Sequence, residues 1–489
     1  MFFTNYEFLF LFLPIAFVGF NLLKKYRSNA LAEYWLILLS LVFYWSLDGY
    51  QFLALLASAL TNYLISFFIA RSRQARPRRS FGILWSGIGF NVLFLLAFKY
   101  FGAWFELPWS VAVPLGVSFF SLQQVTYLVS IYNENIPRPP LHRYLLFISF
   151  FPYVVAGPIA TARDVLPQFE QMSRQRCLRM LRPALTLFSL GLFKKVVLAD
   201  NIAPYVDTVF SAADKGSSLS AVDAWCGALL YPLQLYFDFS GYSDMAAGVA
   251  GLFGIQLPRN FHSPYKAHSI MEFWRRWHMS VTRFFTHFVY MQLMVKLMRA
   301  AVRWRLRGLA RFILTTLSPM ILTFLLIGVW HGAGTNFVAF GLLMGVALSL
   351  NHVWIKLDRP ALPKGVGWML TMTVVICGMI LDRSANMSAA VRILQSMMGF
   401  GGTAGTLLDV PVVAAWLVAL WAIVLVAPNT HEIMAKYSVV LEESWDDLPP
   451  WQRRFQWSPS SWGVAFTSTV FCVAITLIPK AADFIYYRI

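Results

Sequence analysis

Apolar segments of bilayer length recur from one end of the sequence to the other. Roughly 11–13 of them can form a transmembrane or re-entrant helix, although some are too short to cross a bilayer fully. Lipid offers no partners for open backbone groups, so helices are the expected spanning form. A mean hydropathy of +0.59 and a charged fraction of 13% exclude an ordinary soluble domain. Because no long polar segment separates the runs, we expect one all-α polytopic membrane domain over residues 1–489.

The formal net charge of +17 comes from cations grouped in short loops between the apolar runs. Short basic loops mark the cytoplasmic side of a membrane protein. The chain has no separate basic domain, which argues against a nucleic-acid partner. We expect membrane lipid as the surroundings, a retained first helix at Phe8–Leu23 and an N-terminus outside the cytoplasm. The basic groups are Lys24, Lys25 and Arg27; Arg71, Arg73, Arg76, Arg78 and Arg79; and Arg299, Arg303, Arg305, Arg307 and Arg311.

The cysteines and histidines do not match the common patterns of metal or disulfide sites. Four cysteines are scattered without a CxxC pair, and the eight histidines form neither an HxxxH nor an HExxH motif. These spacings favour buried cysteines without zinc or a disulfide framework. We expect no metal site.

The most informative apolar run is Ile321–Leu350, which contains His331 near its middle and no Lys, Arg, Asp or Glu. An ionisable residue at membrane depth is costly and indicates a functional site. The residues that follow it, Gly332 to Gly334, allow the backbone to bend or another group to approach closely. The alternative is a histidine that caps a neighbouring helix.

A second histidine, His278, lies in the segment EFWRRWHMS. On a continuous helix, Glu272 would pair with Arg276 at i,i+4, and Trp274 would share a face with His278. Trp277 and the arginines are typical of a helix at the membrane interface. His278 is therefore either functional or incidental to an anchoring helix.

Two carboxylates, Asp238 and Asp244, lie in the segment DFSGYSD beside apolar runs. They could bind a cation or orient a histidine. Local sequence favours a capping role for Asp244, at the start of a helix that begins with Met245. The role of Asp238 stays open.

Three earlier segments carry structural expectations. One polar face on Val111–Tyr132 must look into protein or water. Proline and glycine in Phe147–Pro158 favour a broken or re-entrant helix that is covered by protein. Alternating basic and apolar residues in Thr161–Arg182 predict an amphipathic interfacial helix.

The chemistry that these residues favour is base catalysis. A GxSxG motif is absent, which argues against a serine nucleophile. Burial keeps an imidazole neutral, and a neutral imidazole can take a proton from a hydroxyl that attacks an activated acyl group. Such a base contributes roughly 10²–10⁴-fold in rate.

Six ordered blocks resemble the membrane-bound O-acyltransferase family. The similarity is to its bacterial branch, which includes the alginate O-acetylation proteins and the teichoic-acid D-alanyl transferases. Together the blocks are more specific than any single histidine. They are Pro114–Tyr132, Phe150–Ile159, Asp238–Phe261, Glu272–Phe285, Gly328–Phe337 and Phe484–Ile489.

The resemblance implies that His331 is the catalytic histidine and that His278 lies near the reaction centre. It implies a ring of tilted helices around a central funnel in the bacterial inner membrane. Acetyl-CoA would be the acyl donor, with no bound cofactor, and acetyl would pass outward to an exopolysaccharide such as alginate or cellulose. Membrane or periplasmic acetyl-transfer proteins of a polysaccharide secretion complex would be partners. Seven further residues in these blocks are candidates for substrate contact: Asp238, Ser240, Tyr242, Arg275, Trp277, Trp330 and Asn336.

One position departs from the family pattern. Where the family commonly has a Phe-Arg-Ala motif, this chain reads LDRSA, with Asp382 before Arg383. A role transferred to this position from the family is therefore in doubt. Two other functions remain open: a D-alanyl transferase of the same family, and a proton-coupled transporter with His331 on its path.

Overall fold

The computed structural model describes residues 2–26, 29–47, 49–104, 113–401, 405–437, 439–441, 450–480 and 484–485. Arg27 and most of the C-terminal block lie outside these residues. In the described part the chain is mainly helical with almost no strand, which confirms the all-α expectation. The helices are α1 (Leu13–Lys25), α2 (Asn29–Trp45), α3 (Gly49–Arg73), α4 (Pro77–Trp104), α5 (Val117–Tyr132), α6 (Leu141–Ser149), α7 (Ala162–Glu170), α8 (Arg174–Phe193), α9 (Asp200–Asp214), α10 (Ala221–Leu252), α11 (Ile270–Arg276), α12 (Met279–Phe285), α13 (Met291–Arg303), α14 (Gly308–Phe312), α15 (Ser318–His331), α16 (Thr335–Lys356), α17 (Lys364–Arg383), α18 (Met387–Met397), α19 (Val410–Val426), α20 (Thr430–Ile433), α21 (Pro450–Arg453) and α22 (Ser461–Leu477).

Short π-helical and 3₁₀ segments and one small pair of strands complete the described elements. The π-helical segments continue neighbouring α-helices, and the strands are parallel, with Leu257 opposite Val440. The strands are β1 (Leu257–Pro258) and β2 (Val440–Leu441). The π-helical segments are Phe8–Phe12, Lys194–Ala199, Thr286–Tyr290 and Ile313–Leu317, and the 3₁₀ segments are Pro264–Lys266 and Ile478–Lys480.

Six helical stretches are long and apolar enough to cross a membrane, and three further apolar helices are shorter. A chain with several such helices is a multi-pass membrane protein. The six are Phe8–Lys25, Gly49–Arg73, Pro77–Tyr100, Gly308–His331, Thr335–Lys356 and Lys364–Arg383. The shorter ones are Asn29–Trp45, Val410–Val426 and Ser461–Leu477.

The chain forms two compact units. The first comprises Met1–Val197, Ser240–Arg259 and Thr430–Tyr487, and the second is built mainly from Leu198–Phe239 and Asn260–Asn429. Helix α10 begins in the second unit and ends in the first. A single functional domain over residues 1–489 stays a prediction.

In the first unit, the polar face of α5 contacts protein. Ser58 of α3 donates a hydrogen bond to Gln124 Oε1 (2.9 Å), and the Tyr127 hydroxyl donates to Ser66 Oγ (2.9 Å). Gln124 and Tyr127 are buried. These contacts explain how a helix with several polar side chains sits inside an apolar unit, because each buried polar group needs a partner.

The segment after α6 is irregular and buried, as expected for a broken helix with a protein cover. The backbone N–H of Phe151 donates to Ser40 Oγ, and the Tyr153 hydroxyl donates to the Phe147 carbonyl. The prediction of one amphipathic helix over Thr161–Arg182 is wrong. The segment forms two helices, because Thr161 caps α7 and Ser173 caps α8.

In the second unit, the apolar run Ile321–Leu350 is not one helix. Helix α15 ends at His331, and α16 starts at Thr335, so the run is a hairpin that turns at Gly332–Gly334. The small residues thus permit the bend that the sequence suggested. The two helices pack so closely at Gly341 that a Cβ there would overlap the carbonyl oxygen of Phe324.

The hairpin predicts a sharp response to one added methyl group. We expect Gly341→Ala to lower the free energy of unfolding by about 1–3 kcal/mol, because the backbones must separate. The measurement is a denaturation titration of the purified protein in detergent micelles. Gly365→Ala is the matched control: a Cβ there meets nothing within 4 Å. Equal losses in both variants would contradict close packing of the hairpin.

Candidate functional site

His331 is the last residue of α15, where the hairpin turns. Its Nδ1 lies 3.3 Å from Oδ1 of Asp382, and its side chain is 12% exposed. The ring centroid lies 5.5 Å from that of Phe340 on the facing helix. The preceding residue, Trp330, is buried and packs edge-on against Phe285. His331 is therefore held in an aromatic environment with one carboxylate beside it.

The end of α17 positions that carboxylate. The Asn336 amide, near the start of α16, donates to the carbonyl oxygens of Leu381 and Ser384, both at 2.9 Å. These bonds fix the backbone on both sides of Asp382. The Tyr231 hydroxyl of α10 lies 3.5 Å from Asp382 Oδ2. The amide of Asn336, a candidate substrate-binding residue, thus holds the backbone at the end of α17.

His278 lies between two short helices rather than on a continuous one. It adopts a left-handed backbone conformation (φ 42°) between α11 and α12. Two backbone bonds cause the break: His262 N–H donates to the Arg276 carbonyl (2.9 Å), and Met279 N–H donates to the Asn260 carbonyl (2.8 Å). The prediction that Trp274 and His278 share a helical face is therefore wrong.

The contacts of Asn260 define the tautomer of His278. Its Oδ1 lies 3.0 Å from His278 Nδ1 and also accepts the backbone N–H of Ser280 (3.3 Å). A backbone N–H can only donate, so this side-chain atom is an acceptor oxygen. His278 Nδ1 therefore carries the hydrogen, and Nε2 is the acceptor nitrogen of the ring.

His278 is also kept neutral. It lies outside the candidate membrane spans and is buried. Burial lowers the pKa of His278 well below its usual value, and positive charge on His331 lowers it further. The ring of Phe239 packs edge-on against it, with centroids 4.5 Å apart. An uncharged imidazole with a defined acceptor nitrogen is the result.

Trp277 does not act as an interfacial anchor in the described structure. It is buried, its ring stacks on Phe273 (5.6 Å), and it packs edge-on against Phe261 (5.1 Å). The predicted pair of Glu272 and Arg276 is present at 2.6 Å. Trp277 thus belongs to the aromatic wall beside His278, because Phe261 contacts both residues.

The other candidate substrate-contact residues divide between the two units. Asp238 is buried on α10, next to Phe239. Arg275 is exposed, and its guanidinium lies 3.6 Å from Met271 Sδ rather than beside either histidine. Ser240 and Tyr242 belong to the first unit, where Tyr242 stacks between Phe3 and Phe484. The second unit therefore contains His331, His278, Trp330, Asn336, Trp277 and Asp238.

Comparison with known proteins places this arrangement in a family. The sequence model of the membrane-bound O-acyltransferase family matches residues 112–388. A peptidoglycan O-acetyltransferase of Helicobacter pylori is 36% identical over 438 residues, covering 81% of this chain and 79% of that protein. The chain belongs to the membrane-bound O-acyltransferase family.

Two further relatives have different acceptors in their names. A probable alginate O-acetylase of Pseudomonas putida is 33% identical and covers 82% of this chain and 81% of its own length. A teichoic acid D-alanyltransferase of Streptococcus thermophilus is 30% identical over 50% of this chain and 57% of its own length. The protein is thus a multi-pass membrane O-acyltransferase and an enzyme.

Within this acyltransferase, Asp244 does not cap a helix. The predicted cap is wrong because α10 runs unbroken from Ala221 to Leu252. Asp244 lies in the first unit, where its carboxylate contacts Lys194 Nζ (2.6 Å) and His431 Nε2 (3.2 Å). Burial alone would raise the pKa of Asp244, but Lys194 and His431 lower it to about 2. Asp244 is therefore ionised and cross-links three segments.

Glycines let the neighbouring backbones come close enough for this pair. A Cβ on Gly191 of α8 would lie 2.6 Å from the carbonyl oxygen of Gly241, and a Cβ on Gly241 would lie 2.7 Å from the carbonyl oxygen of Gly191. This contact fixes the α8 end beside α10, and Lys194 follows directly. Packing explains why the SGYSD segment continues a helix although its residue types favour a cap.

Sequence reasoning missed three residues of the site: Asn260 and Asp382, which contact the histidines, and Tyr231, which contacts Asp382. Asn260 precedes His278 by 18 positions, and Asp382 follows His331 by 51 positions. Tyr231 is still further from Asp382 along the chain. The only signal was the departure from the family motif at Asp382. Among the described residues, no group of three or more His, Cys, Asp and Glu could hold a metal ion.

The cluster around Asp244 generates a stability prediction. We expect Asp244→Asn to lower the free energy of unfolding by about 3 kcal/mol, because it leaves Lys194 in a mostly buried position without its carboxylate. A detergent denaturation titration measures this loss. Glu170→Gln is the control, because Glu170 is exposed and pairs with Arg143. An exposed ion pair contributes about 1 kcal/mol or less to the free energy of unfolding. A loss no larger than that of the control would show that the cluster is not structural.

Proposed function

We propose that this enzyme transfers an acetyl group from acetyl-CoA to hydroxyl groups of a polysaccharide outside the cytoplasm. The observation that carries the proposal is the His331 environment: the Asp382 carboxylate faces Nδ1 at 3.3 Å, and we assign Nε2 as the base. The names of the relatives support the reaction, because two of them are O-acetylating proteins. No bound cofactor is needed for this chemistry; acetyl-CoA is a substrate.

The reaction follows from the two imidazoles. His331 Nε2 takes the proton of the acceptor hydroxyl while its oxygen attacks the thioester carbonyl. The new C–O bond forms as the C–S bond breaks, and the proton passes from His331 to the departing coenzyme A thiolate. His278, neutral and held by Asn260, positions the acyl group or the acceptor beside His331.

The charge distribution supports the proposed direction of transfer. Basic residues at the end of α3 and the start of α4 mark one side of the membrane as cytoplasmic. Their positive field also attracts the phosphates of acetyl-CoA to that side. The N-terminus would then be periplasmic, and acetyl would cross the inner membrane. Membrane or periplasmic partner proteins of a polysaccharide secretion complex would complete the delivery.

The acceptor is an exopolysaccharide such as alginate or cellulose, or peptidoglycan. The 36% identity to the peptidoglycan O-acetyltransferase is the observation that adds peptidoglycan to the candidates. D-alanyl transfer to teichoic acid has weaker support, because that relative matches only 50% of this chain. Membership of an acyltransferase family leaves the proton-coupled transporter without comparable support.

Removal of the base tests the reaction. We expect His331→Ala to lower the release of coenzyme A thiol from acetyl-CoA by roughly 10²–10⁴-fold in inside-out vesicles that carry the acceptor system. His352→Ala is the matched control, because this histidine of α16 contacts the carbonyl of Leu348 in its own helix. Equal expression and thermal stability verify folding. Undiminished turnover in His331→Ala would overturn the proposed function.

The side and identity of the donor form a separate test. Acetyl-CoA labelled in its acetyl group should acetylate polymer when supplied to inside-out vesicles, whose cytoplasmic face is exposed. The same donor outside right-side-out vesicles should give no incorporation, because it does not cross lipid. Incorporation is measured as label released by mild base. Labelled D-alanine held as a carrier-protein thioester serves as the competing donor, and its preferential use would favour the D-alanyl alternative.

A further inference from the structure

The two histidines of the second unit differ in the group that faces Nδ1. His331 Nδ1 lies 3.3 Å from the carboxylate of Asp382, and His278 Nδ1 lies 3.0 Å from the amide oxygen of Asn260. The contact of His278 with Asn260 is a hydrogen bond that places the hydrogen on Nδ1. The contact of His331 with Asp382 is an ion pair when the imidazole is protonated. The two contacts differ in charge, and charge decides which ring gains a proton more readily.

A carboxylate stabilises an imidazolium, while an amide oxygen only orients a neutral ring. The Coulombic attraction between Asp382 and a protonated His331 acts in a mostly buried place, where it is screened less than in water. Nδ1 of His278 faces the amide oxygen of Asn260, its ring packs against Phe239, and burial lowers its pKa well below the usual value. The position at the C-terminal end of α15 also favours positive charge on His331.

The local structure positions Asp382 for this contact. The adjacent Arg383 turns to Asp207 of α9, at 2.7 Å. Asn336 holds the carbonyls on either side of Asp382, and the Tyr231 hydroxyl faces its second oxygen. A carboxylate in so defined a position can hold the imidazole of His331 in one orientation.

We propose that Asp382 is the positioning residue of His331. It holds the Nδ1–H tautomer, directs Nε2 to the acceptor hydroxyl and stabilises the imidazolium that forms. This inference rests on the proposed function. It also assigns the two histidines: His331 is the general base, and His278 stays neutral and orients a substrate. Asp382, at which the sequence departs from the family motif, thus has a function in this site.

The experiment varies acetyl-CoA concentration in inside-out vesicles from a host without its own copy of the protein. We expect Asp382→Asn to lower kcat about 10- to 100-fold while KM for acetyl-CoA changes less than about twofold. The amide keeps the shape but loses the charge and can present an N–H to Nδ1. Asp382→Glu retains the charge and should keep more of kcat than Asp382→Asn.

Asp207→Asn is the matched control, because it removes a neighbouring carboxylate that pairs with Arg383. We expect its kcat to stay near that of the unaltered protein. A kcat for Asp382→Asn equal to that of this control would overturn the positioning role. A rise in KM with unchanged kcat would also overturn it, since a displaced helix end would weaken binding rather than the proton transfer.

Two further results keep the inference separable from the proposed function. If His331→Ala is inactive and a folded Asp382→Asn retains full kcat, only the role of Asp382 fails. If His331→Ala is active, the proposed function fails first. If Asp382→Asn does not fold, Tyr231→Phe replaces it as the test of the positioning role. This variant loses the hydroxyl that faces Asp382 Oδ2, and we expect kcat to fall about two- to tenfold at constant KM. An unchanged kcat in that variant would overturn the proposal.

Discussion

The need to satisfy polar groups inside an apolar protein governs this structure. Lipid and a packed interior offer no water, so each buried donor, acceptor or charge depends on a partner from the chain. Gln124 receives such a partner from α3, and Asp244 receives Lys194 and His431 from different segments. The same requirement produces the site, because Asn260 fixes the tautomer of His278 and Asp382 faces Nδ1 of His331.

Breaks in helices provide these partners. The turn after His331 ends α15 and brings the start of α16 to the end of α17, where Asn336 holds the backbone around Asp382. The break at His278 arises from backbone bonds to the Asn260 and His262 segment. In both places an interrupted helix supplies backbone groups and a side chain in a defined direction, which an unbroken span cannot do.

Local pattern predicts the features of this chain that local physics controls. Hydropathy and length indicate an all-α membrane protein, and the residues Gly332–Gly334 indicate a bend or close approach. Local pattern does not predict contacts between residues that lie far apart in the sequence. Asn260 and Asp382 meet their histidines only after folding, and neither carries a short motif. For Asp244 the local pattern gave a wrong prediction. Its neighbours in sequence favour a helix cap, but packing against Gly191 keeps α10 continuous.

The contrast between the two histidines has an energetic consequence for the proposed reaction. Asp382 is mostly buried, so its charged form is costly while His331 is neutral. When His331 takes a proton, the carboxylate and the imidazolium attract each other, and part of that cost is offset. The interaction is therefore stronger as charge develops than in the resting enzyme, which is the condition for an interaction to accelerate a reaction. An amide in place of Asp382 would keep the shape of the side chain but would not respond to that charge, so shape alone cannot replace the carboxylate.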